Sequence, residues 1–176
     1  MGLVQPLLSA IPAITEHLQG DYTLSELYNI LGDVYWITGQ IQNAIQVQEM
    51  AIEQSAQALT TLIDGPEFNK SHYYYTMLRV DSRLSIGLYC LDLWDLEQAA
   101  DCFEQVIVQV KGTRHDRWAE KASVCLALTR SYLGQTEVAH QQADGIYRTI
   151  IQDHQGESRG SFAYFIQLLG QTYVNL

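Results

Sequence analysis

Residues 27–56, LYNILGDVYWITGQIQNAIQVQEMAIEQSA, decide how this chain is read. They carry aromatics, glycines and small residues at fixed offsets, with no run of charges and no cluster of catalytic side-chain types. From Leu24 the apolar set Leu24, Leu27, Tyr28, Leu31, Val34 and Tyr35 keeps the period of one buried helical stripe. Thr23, with Glu26 three residues later, spells a capping box for its start, and Gly39 stops it. A second helix follows from about Ile41 to Leu62 on Ile41, Ala44, Ile45, Val47, Met50, Ala51 and Ala58, and ends at Asp64-Gly65-Pro66. The pairing predicts a close crossing: Gly32, having no side chain, lets the second helix approach through Ala44 while Tyr28, Leu31 and Tyr35 fill the space around the contact.

Outward from this stretch the period stays helical, and strand signals are nearly absent. Breaks at Trp94-Asp95, Lys111-Gly112, Gly134 and Gly156 predict further helices near 70–93, 95–110, 116–133, 136–153 and 159–175. A short N-terminal helix is expected from Pro12 to Leu18 within a segment spanning 1–22, with Pro12 in the first turn, where helices tolerate it.

Tyr28, Leu31, Gly32 and Tyr35, then Gly39, Ala44 and Ala51, stand in the order aromatic-x2-L-G-x2-Y, turn glycine, two small residues. This resembles the tetratricopeptide repeat. Ile86-Gly87 with Cys90, then Ala99 and Phe103, give a second copy; Leu126-Ala127 with Ala139 and Ala143 give a third; Leu169-Gly170-x2-Tyr173 opens a fourth. In the third copy Arg130 stands at the aromatic position and Tyr132 follows two residues later, so its register is open. Gly32, Gly87, Ala127 and Gly170 are 55, 40 and 43 residues apart, against about 34 in the standard repeat. The spacing looks like the longer-repeat branch found in kinesin light chains and bacterial signalling regulators, with the first interval lengthened by a loop around Asp64–His72.

The resemblance covers residues 23–176 and implies an all-α, right-handed α-α superhelix of tandem hairpins, about 23–63, 70–110 and 116–154, with a final helix at 159–175. That last helix suits a terminal cap or a chain that continues into a longer protein, and LGQTYVNL reads as a repeat about to continue. In such a superhelix the first helix of each pair lines the concave face. The resemblance therefore implies partner-binding positions at Asn29, Asp33 and Trp36, then Leu84, Leu88 and Leu91, Val124 and Leu128, and Gln167 and Gln171. Trp36 is the best anchor among them, or else packs inside its hairpin. Some family members hold acidic C-terminal tails with a clamp of Lys, Arg and Asn; here only Asn29 matches, Asp33 has the opposite sign and Lys121 is the lone cation on that face. A partner protein or peptide with apolar anchors and some positive charge fits better.

Charge supports the same choice. The net charge is −10, and no Lys or Arg precedes Lys70, which argues against nucleic acid, whose phosphates need clustered cations. An acidic first third either steers a basic partner or keeps the chain soluble. No window has the length of a membrane span and the N-terminus lacks the cations of a secretory signal, so a cytoplasmic protein is expected. Cys90, Cys102 and Cys125 fall in apolar segments and read as buried reduced thiols. The five histidines are scattered, and no metal spacing, phosphate loop or nucleophile motif accompanies them, so no cofactor and no enzyme are expected. Tyr73-Tyr74-Tyr75 must spread around its helix, leaving at least one ring as an interface anchor or packed on a second neighbour. The reading is a non-enzymatic interaction module, a scaffold or adaptor holding its partner in the concave groove, with a homo-oligomer left open. The alternative is the regulatory or sensor portion of a larger signalling protein.

Overall fold

The computed structural model describes residues 21–62, 68–113, 116–153 and 163–176. Among them all regular structure is helical: α1 (Asp21–Ile37), α2 (Ile41–Thr61), α3 (Phe68–Asp92), α4 (Leu96–Val110), α5 (Asp116–Tyr132), α6 (Thr136–Asp153) and α7 (Ala163–Asn175). The chain divides into two compact units, Met1–Tyr89 and Cys90–Leu176, and the boundary falls inside α3.

In the first unit α1 and α2 form an antiparallel hairpin. Tyr28, Leu31 and Tyr35 of α1 are buried against Ala44, Val47 and Ala51 of α2, with Leu24, Leu27, Val34 and Trp36 packed around them. The large side chains sit on α1 and the small ones on α2, so the second helix presents a smooth stripe that the tyrosines cover. Such amphipathic helices draw most of their stability from packing rather than from propensity. Burial holds them, each large apolar side chain contributing about 2 kcal/mol. The close approach at Gly32 is real, but its partner differs from the expected one. A Cβ at Gly32 would overlap the Gln48 amide, with Gln48 Cδ at 2.8 Å and Cγ at 2.9 Å. Ala44 is fully buried, yet the group that fills the notch above Gly32 is Gln48. An apolar pattern could not show that a long polar side chain lies on the core stripe of α2.

In the second unit α5 is central, lying against α4, α6 and α7. Ala122, Val124 to Thr129 and Ser131 are therefore buried nearly all the way round it. Phe103, Val106 and Val110 of α4 are completely buried, as are Ala99 on α4 and Ala139 and Ala143 on α6. Three buried hydroxyls of the two units bond back to their own helix: Ser55 Oγ donates to Ala51 O at 2.7 Å, Thr129 Oγ1 to Cys125 O at 2.8 Å and Thr172 Oγ1 to Leu168 O at 3.0 Å. Each is buried without an unsatisfied donor.

Three turns share one construction. At the first, Gly39 N donates to Trp36 O and Gln40 N to Tyr35 O, at 2.9 and 2.8 Å; at the third, Gly134 N donates to Ser131 O and Gln135 N to Arg130 O, at 3.2 and 2.9 Å. These are Schellman closures, and both glycines take the left-handed conformation they require, φ +75° and +73°. The middle turn repeats the bonds, Trp94 N to Leu91 O at 3.0 Å and Asp95 N to Cys90 O at 2.8 Å, but puts tryptophan at the left-handed position, φ +61°. For a residue with a Cβ that conformation costs about 1–2 kcal/mol. The shared turn also settles the third copy's register: Arg130 lies four residues before Gly134 as Tyr35 lies before Gly39.

Several boundaries shift. Asp21 is already helical, so Thr23 lies inside α1 and the capping box expected there is not its start; nothing at Asp21 or Tyr22 breaks a helix, which extends past the apolar stripe. Helix α3 begins at Phe68, while the expected helix at Pro12–Leu18, the Asp64–Gly65–Pro66 stop and the break at Gly156 lie outside the described residues. Tyr73 is exposed, Tyr74 half-buried and Tyr75 buried, the spread that about 100° per residue imposes. Cys90 and Cys125 are buried, outside any disulfide, and Cys102 is half-buried. Burial pushes the Cys125 thiol up. Gly170 departs from its expected role: it is exposed, and a Cβ there meets nothing within 4 Å. No described helix packs on that side of α7, so the fourth copy has no close crossing at this position.

Candidate partner-binding site

Asn29, Asp33 and Trp36 lie at four- and three-residue steps on α1, so the helix turns them to one side. On that side a polar cluster ties α1 to α2 and α3. Asn29 Nδ2 donates to Ser82 Oγ at 3.1 Å and to Gln48 Oε1 at 3.3 Å, while Gln48 Nε2 donates to Asn29 O at 3.1 Å. The Tyr89 hydroxyl accepts from Gln48 Nε2 at 3.4 Å and donates to Asp33 Oδ1 at 3.0 Å. Gln48 and Tyr89 are buried, and partnering both removes the penalty of an orphaned polar group. Burial, and then the Asp33 carboxylate, push the Tyr89 phenol well above its ordinary value. It stays neutral and donates.

The cluster therefore spends Asn29 inside the unit. Asp33 is the exposed end of the chain of bonds, fixed on one oxygen by Tyr89. Trp36 is half-buried: one part packs on the α1/α2 core and its ring lies 5.4 Å from that of Tyr89, tilted by 36°. Trp36 is thus packed in part, on the core and on the Tyr89 ring.

Tyr89→Phe removes both phenol bonds but leaves Gln48 on the Asn29 carbonyl. An unfolding free energy lower by about 1–2 kcal/mol is expected from urea titration. Because the folded phenol is raised, its contribution is complete below its ordinary pH 10 and is lost as pH rises beyond it. The difference between wild type and variant should shrink above pH 10.

Of the other expected positions, Leu88 and Leu91 are half-buried, and Gln167 and Gln171 are exposed on α7. Gln171 Nε2 donates to Tyr132 Oη at 2.8 Å. Leu84, Val124 and Leu128 are buried, and this corrects their expected exposure. Val124 and Leu128 sit on the helix that three others surround, and Leu84 lies in the densely buried run of α3, so all three serve packing and offer no surface. Lys121 lies over the Trp118 ring at 4.2 Å and the Phe165 ring at 5.4 Å, which occupies the one cation expected on this face.

Sequence patterns missed Gln48, Ser82 and Tyr89, the members that Asn29 and Asp33 bond to. Gln48 has a counterpart in the second unit, where Gln142 Nε2 donates to Ser123 O at 3.0 Å. In both hairpins a glutamine of the second helix reaches a carbonyl of the first. Arg130, at the aromatic position, bridges two helices, donating to Gln142 Oε1 at 2.8 Å and pairing with Glu104 at 2.7 Å. The signal available was the presence of Gln at otherwise small or apolar stripe positions of α2 and α6. The Tyr173 hydroxyl donates to Asp144 Oδ1 at 2.8 Å; burial first, then this carboxylate, push it up to about 12.

An open cleft of about 350 Å³ lies between α5 and α6, lined by Ala119, Glu120, Ser123, Gln142, Ile146 and Thr149. Glu120 is the titratable group among these, and it is half-buried. No group of three potential metal ligands occurs among the described residues, and none of their helices is long and apolar enough to cross a membrane.

Residues 25–57 match the family model of the tetratricopeptide repeat. No curated protein and no solved structure matches the chain.

Proposed function

We propose that this chain, whose residues 25–57 form a tetratricopeptide repeat, is a non-enzymatic scaffold or adaptor that holds a protein or peptide partner against the exposed side of α1. Such repeats are protein-interaction units, and the side of α1 that carries Asp33 and Trp36 supplies what a partner needs. The observation that carries the reading is the Asp33–Tyr89–Gln48 chain of bonds. It holds a carboxylate at the surface beside a half-open tryptophan, with its geometry fixed before any partner arrives. Preorganised side chains lose little entropy on binding. The first 69 residues carry eight acidic side chains and no Lys or Arg, so a partner with positive charge would be drawn to this part of the chain. Leu88 and Leu91 on α3, and Gln167 and Gln171 on α7, are the further positions we assign to partner contact, in place of the buried Leu84, Val124 and Leu128.

Asp33→Lys reverses the charge at an exposed position and also removes the acceptor of the Tyr89 hydroxyl, so the fold of the variant is checked alongside its binding. Partners retained from native lysate by immobilised wild type should be lost or weakened at least tenfold in the variant, at an unchanged circular dichroism spectrum. Retention of every partner by the folded variant would refute the assignment.

A further inference from the structure

Trp94 is unexplained by anything above. It occupies the left-handed position of a turn whose two counterparts hold glycine, φ +61° against +75° and +73°. It is also 64% exposed, so burial does not repay the strain. Strained side chains kept at a surface point to use rather than to packing.

The surroundings say what the use would be. The Trp94 ring lies 4.8 Å from that of Tyr132, inclined by 48°. Tyr132 is itself held by the amide of Gln171, so the second ring has a fixed orientation. Leu93 beside it is exposed. Asp92, Asp95 and Glu97, all exposed, lie within three residues of Trp94, and no Lys or Arg occurs between Arg83 and Lys111. Asp95 is fixed in place by capping α4, its Oδ1 accepting from Gln98 N at 3.3 Å. An open indole face with neighbouring carboxylates complements a planar cation, which can stack on the ring and pair at its edge.

We propose that Trp94, supported by Tyr132, is a second recognition point that stacks the guanidinium of an arginine in a basic peptide segment. It lies on the α3–α4 turn of the second unit and does not depend on the α1 reading. Asp95 and Glu97 supply the complementary charge, and Leu93 offers apolar contact to the residue beside the arginine.

The test is a titration of the nitrogen-15-labelled full chain with a capped decapeptide of alternating arginine and alanine, observing the indole N–H resonances of Trp36, Trp94 and Trp118. Trp94→Gly, which restores the residue of the two sister turns, assigns the Trp94 resonance. A saturable shift of that resonance is expected, weakened at least about fivefold by Asp95→Asn with Glu97→Gln, where Asn keeps the helix cap. Binding at this point should vanish in Trp94→Gly while its melting temperature stays within about 3 °C of wild type. An alternating glutamate and alanine decapeptide should leave the resonance in place. An unmoved Trp94 resonance, an equal response to the glutamate peptide, or undiminished binding to Trp94→Gly would overturn the proposal. So would a melting temperature lowered by more than about 8 °C, which would make Trp94 a packing residue.

Discussion

Phe103→Ala is expected to lower the unfolding free energy by about 4 kcal/mol, the cost of the lost transfer energy plus the cavity left behind. Phe103 is 0% exposed, as are Ala99 one turn before it and Val106 and Val110 after it on the same stripe of α4. A site so enclosed collapses poorly around a deletion, which places the cost toward the upper part of the range. Val108, on the opposite side of the same helix, is 74% exposed, and Val108→Ala should stay within about 0.5 kcal/mol of wild type. Urea unfolding followed at the helical circular dichroism band measures both. Equal effects at the two positions would mean that α4 does not bury the stripe described.

Gly32→Leu carries the second large effect, a loss of about 3 kcal/mol or more. Any side chain there enters the volume of Gln48, whose Cδ and Cγ would lie 2.8 and 2.9 Å from the new Cβ. A flexible surface glutamine would step aside at little cost. Gln48 is completely buried and bonded to the Asn29 carbonyl and the Tyr89 hydroxyl, so displacing it leaves buried polar groups unpartnered as well as overpacking the crossing. Gly170→Leu is the contrast, because open space surrounds that position. There the better helix propensity of leucine should leave stability unchanged or raise it by up to about 1 kcal/mol. By motif the two glycines are equivalent, and their surroundings make them opposites.

That contrast marks where the sequence was informative. The helices and their breaks were legible because apolar period and left-handed turn residues are local properties: Gly39, Gly112 and Gly134 all take positive φ. The first hairpin was legible as a tetratricopeptide repeat because Tyr28, Leu31, Tyr35, Ala44 and Ala51 all lie in its core. The polar cluster was not, since Asn29, Gln48, Ser82 and Tyr89 come from three helices and acquire their roles only when these pack. The groove assignment failed at Leu84, Val124 and Leu128 for a related reason. A repeat motif states which way a side chain points from its own helix, while burial depends on how many other helices surround it. Helix α5 has three against it. Trp94 went unread because its strain is visible only in backbone angles.

The measurement that bears most directly on the account is a double-mutant cycle on Gly32→Ala and Gln48→Ala, read by urea unfolding. Gly32→Ala alone should destabilise by about 1–3 kcal/mol despite alanine's better helix propensity. With Gln48 shortened to alanine the new methyl group meets no amide, so the same substitution should become neutral or favourable, giving a coupling energy above about 1 kcal/mol. Additive effects of the two substitutions would show that the first hairpin is not closed by the glutamine seated over the glycine, and would contradict the packing on which the α1 binding face rests.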